Sequence, residues 1–188
     1  LTQRRLFVAI PLDDDLRSRL EQAQNNLARS NADLRWTRPG SIHLTLKFLG
    51  DTHERLVPDI SAELEQCVAA HRGRTLRVKG LGAFPDLRRP RVIWAGLEGD
   101  LDALCAVQRD VEQRLARLGF EPERRGFSPH LTLGRVRSPR RLGELIKAVE
   151  AGSQADLGVL EARRIVLYQS QLLPGGARYT CLARYKMA

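Results

Sequence analysis

Cysteine is scarce and scattered in this chain. Cys67, Cys105 and Cys181 stand far apart in 188 residues. An odd, dispersed set argues against a disulfide framework and against a zinc cluster, and it reads as buried reduced thiols. Long apolar runs are also missing, since none approaches the roughly 20 residues that a membrane-spanning helix needs. The stretch Leu6-Phe7-Val8-Ala9-Ile10 is short and runs straight into Pro11 and three aspartates. It lacks the length and the cleavage site of a signal peptide, so a first strand, a cytoplasmic location and no membrane partner are expected. No segment is rich enough in Gly, Ser or Pro to separate independent domains. Residues 1–188 are therefore expected to form one domain.

What is present is an ordinary globular balance, 43% hydrophobic and 28% charged residues, with more apolar material than a disordered chain carries. The net charge is +9, which favours polyanionic partners. The basic residues are spread along the chain and do not gather in a polybasic block or helix, so nucleic acid is a better expectation than a membrane surface.

Periodicity and turn chemistry give a first outline. Residues 6–10 read as a strand. Asp13-Asp14-Asp15 offers an N-cap to a helix over about 14–29, with Leu16, Leu20, Ala23 and Leu27 at helical spacing. The turn Trp36-Thr37-Arg38-Pro39-Gly40 precedes a strand over 41–49, and a second helix is expected at 58–71. Strands follow at 76–81 and 91–97, then a helix from Asp100 capped by Gly119, a strand at 127–136 and a short helix at 140–150. Two closing strands, 163–172 and 178–185, flank a turn at Pro174-Gly175-Gly176. Mixed elements with hairpin-like turns indicate an α+β fold.

The two halves share more than this rhythm. His43-Leu44-Thr45-Leu46 recurs letter for letter as His130-Leu131-Thr132-Leu133, 87 residues later. Repetition at matching points of two half-chains argues for an internal duplication with a pseudo-twofold axis, hence one bilobal domain. Along a strand, side chains alternate faces. His43 and Thr45 therefore share one face, and Leu44 and Leu46 anchor the other; the second copy behaves alike. If the lobes face each other, two imidazoles and two hydroxyls converge on one cleft. That set suits in-line displacement at a cyclic phosphodiester. One histidine takes a proton from water, the other gives one to the leaving sugar oxygen, and the threonines donate hydrogen bonds to the non-bridging oxygens. Symmetry alone leaves open which histidine does which. Structural zinc sites use four ligands and catalytic ones usually three. No Cys, Asp or Glu stands at ligand spacing beside either motif, so no metal is expected, and His53 and His71 read as solvated surface residues.

These residues resemble the two-histidine (2H) phosphoesterase superfamily, whose signature is a pair of His-x-Thr-x motifs. The resemblance is closest to the bacterial and archaeal RNA 2',3'-cyclic phosphodiesterases, also called 2'-5' RNA ligases, and runs nearly end to end. It is carried by Arg5 to Ile10, by Ser41-Ile42-His43-Leu44-Thr45-Leu46-Lys47-Phe48-Leu49-Gly50, by Pro90 to Gly96, by Phe127-Ser128-Pro129-His130-Leu131-Thr132-Leu133-Gly134-Arg135, and by Leu167-Tyr168-Gln169-Ser170 with Tyr179. It implies antiparallel sheets flanking a central groove, with helices outside. It implies hydrolysis of an RNA 2',3'-cyclic phosphate to a 2'-phosphomonoester, with His43 as proton donor to the leaving 3'-oxygen and His130 as the base that activates water. It also implies 2'-5' ligation, joining tRNA halves through a 2'-5' bond with a sugar hydroxyl in place of water. No Gly-rich nucleotide loop is visible, in keeping with chemistry that needs no ATP and no other cofactor.

Around the pair, Lys47 has the strand parity of His43 and Thr45 and is a candidate for the phosphate or the next nucleotide, with a plain surface lysine as the alternative. Arg124 and Arg125 are candidates for backbone phosphates, and Tyr168 for stacking on a base. Phe48 and Trp94 are stacking candidates as well, with the core as the first expectation, since strand aromatics usually pack. A monomer acting on RNA with cyclic phosphate ends, tRNA fragments among them, is the resulting expectation. Two rivals remain: a phosphodiesterase for a small cyclic nucleotide or an ADP-ribose cyclic phosphate, and a non-catalytic RNA-binding module, which no RNP, zinc-finger or KH signature supports.

Overall fold

The computed structural model describes residues 2–174 and 176–188; Gly175, at the centre of the last expected turn, lies outside them. Nine strands and four α-helices occur among the described residues, in the order β1 (Gln3–Pro11), α1 (Asp14–Ala28), β2 (Leu34–Trp36), β3 (His43–His53), α2 (Val57–Ala70), β4 (Arg74–Phe84), β5 (Val92–Glu98), α3 (Leu101–Ala116), β6 (Leu131–Val136), α4 (Leu142–Ala151), β7 (Asp156–Ala162), β8 (Arg164–Leu173) and β9 (Gly176–Lys186). They form two sheets, β3-β1-β8-β9 and β2-β6-β5-β4-β7. Every pairing in both is antiparallel. Apart from the three-residue edge strand β2, the two orders match place for place. β3 corresponds to β6, each carrying or following its histidine, and the central strand β1 corresponds to β5.

The helices pack outside the sheets and exchange sides. α1 leaves β1 of the first sheet but packs against β7 of the second and against α4; α3 leaves β5 of the second sheet but packs against β3 and α2 of the first. Asp13 starts α1 by accepting a hydrogen bond from the Leu16 N–H at 2.8 Å, a cap worth about 1 kcal/mol. Asp100 does the same for α3 through the Ala103 N–H. On β1, Leu6, Val8 and Ile10 enter the core shared with the helices, while Phe7 and Ala9 are buried on the opposite, inner face. On β5, Ile93, Ala95 and Leu97 point outward to the helices, leaving Trp94 on the inner face.

Two strands, β2 and β7, carry no clear signal in the sequence. In β7, Leu157 and Leu160 are both buried although three residues apart. A bulge opposite Val78 and Lys79, with Gly158 at φ +113°, resets the alternation that would have marked the strand. The strand of the second motif starts at Leu131, not at 127, because Pro129 has no N–H to give a ladder; His130 stands one residue before it.

Candidate active site

The first histidine sits on an aromatic floor. β1 pairs with β3 and with β8, so Phe7 faces Tyr168 in register. The Phe7 ring lies 4.8 Å from the His43 ring and 5.1 Å from Tyr168, nearly parallel to the latter. Tyr179 approaches His43 edge-on at 5.3 Å. Leu44 and Leu46 are buried on the other side. With its faces enclosed in this way, the His43 ring is oriented by a polar contact: Nδ1–H donates to the Ser41 carbonyl at 2.8 Å.

The second histidine repeats that contact. His130 Nδ1–H donates to the Ser128 carbonyl at 2.7 Å, and its ring meets Phe84 edge-on at 4.9 Å. A carbonyl oxygen can only accept, so in both rings Nδ1 carries a proton, and in the neutral ring the lone pair lies on Nε2. The two serine carbonyls were not among the expected site residues. A bond to the residue two places back depends on how the chain turns before the strand, which residue types alone do not reveal.

Burial lowers both histidines. His43 falls from 6.5 to about 4, chiefly by desolvation, against which the Ser41 bond works. His130 is also lowered by desolvation, partly offset by the Ser128 bond and reinforced by Arg135. Both rings are therefore neutral at pH 7 in the free protein. An anionic phosphate placed between them favours the imidazolium form. In an NMR titration, His43 is expected to protonate near 4 and His130 below the ordinary 6.5, each as the Nδ1–H tautomer when neutral. Adding adenosine 2'-monophosphate should raise both. A His43 that titrates at or above 6.5 in the free protein would contradict this enclosure.

β3 and β6 belong to different sheets yet approach within 8 Å between Cα atoms. Beside them opens a groove of about 990 Å³ whose wall includes Thr45, Lys47, Phe48, Arg91, Arg124, Arg125, Phe127 and His130. His43 and Thr132 lie outside that wall, His43 at the start of β3 and Thr132 opposite Trp94 on β6. Arg124 and Arg125 are exposed on the groove. Tyr168 is partly buried on the aromatic floor. Lys47 does not follow His43 and Thr45 as its parity implied. A register shift places Lys47 opposite Val8 and Thr45 opposite Ala9, so Leu46 and Lys47 are both buried. The Lys47 ammonium is held by Glu112 at 2.6 Å and by the Glu121 carbonyl at 2.9 Å. Phe48 is 66% exposed and is not a core residue. Trp94 is partly exposed on the inner face, against Phe84 and over Gly82, where a Cβ would fall 2.3 Å from its ring.

Two buried glutamines add a feature that the sequence did not bring forward. Gln24 of α1 donates to the Leu133 carbonyl at 2.8 Å, and Gln108 of α3 donates to the Leu46 carbonyl at 3.4 Å. Leu46 and Leu133 are the last residues of the two motifs, so each exchanged helix grips the motif of the opposite sheet. The signal was present: each glutamine interrupts an otherwise apolar stripe at the same point, after Leu20 and Ala23 in one helix and after Leu104 and Val107 in the other.

Among the described residues, the metal-ligating groups close enough to share an ion are Cys67, His71 and Asp110, a set that contains neither His43 nor His130. His71 is thus not a solvated surface residue; it bonds Asp110 between α2 and α3. Burial pushes the Cys67 thiol up to about 12, which keeps it protonated and inert. No helix among the described residues is long and apolar enough to cross a membrane.

The family model described as LigT like phosphoesterase matches residues 10–94 and 98–179. The chain belongs to that family. This LigT-like phosphoesterase is 30% identical to the RNA 2',3'-cyclic phosphodiesterase of Methanothermobacter thermautotrophicus over 183 residues, 97% of this chain and 98% of that one. It is 33% identical to the Aeropyrum pernix protein of the same name over 172 residues, 90% and 96% of the two chains. Among solved structures, E. coli LigT complexed with 3'-AMP superposes with a TM-score of 0.80 at 26% identity, over 100% of this chain and 99% of that one. TT0787 of Thermus thermophilus gives 0.80 at 26%, over 97% of each. The α+β duplication with two antiparallel sheets is the fold these matches share.

Proposed function

We propose that this LigT-like phosphoesterase hydrolyses RNA 2',3'-cyclic phosphate ends to 2'-phosphomonoesters without a metal. The observation that carries the reading is the matched pair of imidazoles, each with Nδ1–H on a carbonyl two residues back and with no hydrogen bond at Nε2 among the described residues. His130 Nε2 takes a proton from water as its oxygen bonds to phosphorus. His43 Nε2–H gives a proton to the 3'-oxygen as the P–O3' bond breaks. Thr45 and Thr132 donate to the non-bridging oxygens, where charge accumulates. With a sugar hydroxyl of a second RNA end in place of water, the same displacement bonds that oxygen to phosphorus as P–O3' breaks and joins the ends through a 2'-5' bond.

The groove supports a substrate longer than one nucleotide. A space of about 990 Å³ flanked by Arg91, Arg124 and Arg125 exceeds what one cyclic nucleotide fills and suits a strand held by its backbone. That favours RNA, tRNA halves included, over a small cyclic nucleotide. Exposed Phe48 offers a face for a base, and Tyr168 supports the floor under His43. One bilobal unit, a monomer in the cytoplasm, completes the proposal.

The test is turnover of an RNA ending in a 2',3'-cyclic phosphate after exhaustive chelation. Undiminished rates and a 2'-phosphate product are expected, because both proton transfers are assigned to side chains. An enzyme that chelation kills and zinc or manganese revives would sink the metal-free mechanism. Tight RNA binding without turnover would favour the binding module.

A further inference from the structure

One device on the groove wall has no counterpart across the pseudo-twofold axis. Lys47 follows the first His-Leu-Thr-Leu, and Gly134 takes its place after the second. Glu112 lies one turn beyond Gln108 on α3, and Ala28 takes its place beyond Gln24 on α1. The catalytic motifs and the gripping glutamines occur twice; this ion pair occurs once. Its side chains are 3% and 13% exposed. Its other bonds reach the irregular segment between α3 and β6. Lys47 donates to the Glu121 carbonyl at 2.9 Å, and the Glu123 N–H donates to Glu112 at 3.3 Å. Gln108 donates to the second Glu112 oxygen at 3.3 Å. Strand β3, helix α3 and residues 121–123 are thereby tied at one point. The next two residues are Arg124 and Arg125, exposed on the groove; the Arg125 N–H turns back onto the Glu123 carboxylate at 3.2 Å.

A buried ion pair contributes little net stability compared with apolar residues of similar size. Its use here is therefore sought in what it holds. We propose that Lys47 and Glu112 are positioning residues for the RNA strand upstream of the cyclic phosphate. They fix residues 121–123 so that Arg124 and Arg125 stand where the backbone phosphates of the preceding nucleotides pass. This rests on the RNA reading above. The substrate is one-sided, with a strand leaving the terminal cyclic phosphate in one direction, and a one-sided device on a symmetric scaffold matches it.

The test compares adenosine 2',3'-cyclic phosphate with an RNA of about eight nucleotides ending in the same group, at low salt. The parent, Lys47→Met/Glu112→Leu and Arg124→Ala/Arg125→Ala are measured side by side. In the parent the oligonucleotide is expected to have a KM at least about tenfold lower, with a steep salt dependence. Lys47→Met/Glu112→Leu removes both charges together and so keeps the fold. It should lose most of that preference, to within about threefold, while turnover of the mononucleotide stays at the parent level. Arg124→Ala/Arg125→Ala should lose the same oligonucleotide preference by removing the contacts themselves, together with the salt dependence. Amide exchange at residues 121–125 should quicken in the Lys47 and Glu112 variant. Glu112→Gln, which keeps size and an acceptor oxygen, takes its place if the double variant does not fold. An unchanged oligonucleotide preference in a folded variant overturns this proposal alone, and so does an equal loss on both substrates. No turnover of either substrate by the parent overturns the phosphodiesterase reading and this proposal with it.

Discussion

His43→Ala and His130→Ala are each expected to lower turnover of the cyclic phosphate by about 100- to 10,000-fold, the usual contribution of a positioned acid or base. Binding of the RNA should stay within a few-fold, because neither imidazole supplies the backbone contacts assigned to the arginines. The two losses should not multiply in the double variant, since acid and base act in the same displacement. Far-ultraviolet circular dichroism checks that each variant folds, since the His43 ring packs against Phe7 and Tyr179 and the His130 ring against Phe84. Single-turnover rates at high enzyme, with RNA affinity measured in parallel, check these losses. Near-parental turnover in both variants would remove the two-histidine mechanism. Lost affinity with turnover per bound complex preserved would support the binding module.

Thr45→Val and Thr132→Val are expected to lower kcat by about 100- to 1,000-fold each, the cost of removing one donor aimed at developing charge. Valine keeps the shape and deletes the hydroxyl. The non-bridging oxygens gain charge on the way to the transition state, so the loss belongs in kcat, with KM little changed. Steady-state kinetics on the oligonucleotide separate the two. A KM that rises with kcat intact would mean that the hydroxyls hold the ground-state phosphate only.

The duplicated tetrapeptide makes the architecture legible. His43, Thr45, His130 and Thr132 are expected at matching points of two strands from repetition and strand parity alone; β3 starts at His43, β6 starts one residue after His130, and the two strands approach within 8 Å between Cα atoms. Parity fails two residues later. The register shift at Leu46 sends Lys47 inward to Glu112, and nothing in the residue types marks a bulge there. The same kind of irregularity at Gly158 hides β7. Strand aromatics usually pack, which places Phe48 in the core on sequence grounds, yet it ends up exposed beyond the bulge. The exchange of α1 and α3 between sheets is not legible, because helical periodicity shows which face is apolar and not which sheet receives it. Gln24 and Gln108 stand in view as polar interruptions of apolar stripes; their meaning needs the partner carbonyls.

The most direct measurement is the pH dependence of single-turnover hydrolysis in the parent, His43→Ala and His130→Ala. The reaction needs His130 neutral and His43 protonated at once. As pH falls, protonation of His130 removes the base and sets the acidic limb; as pH rises, His43 loses its proton and sets the alkaline limb. The two rings share one phosphate, so the limbs belong to the pair. Both groups are lowered in the free protein. The kcat/KM profile, which reports free enzyme, should therefore lie at lower pH than the profile of the bound complex, where phosphate favours the imidazolium. The parent should show a bell, His130→Ala should lose mainly the acidic limb and His43→Ala mainly the alkaline one. Limbs lost the other way round would reverse the two roles. A flat parent profile, measured where chemistry limits the rate, would contradict acid-base catalysis by this pair.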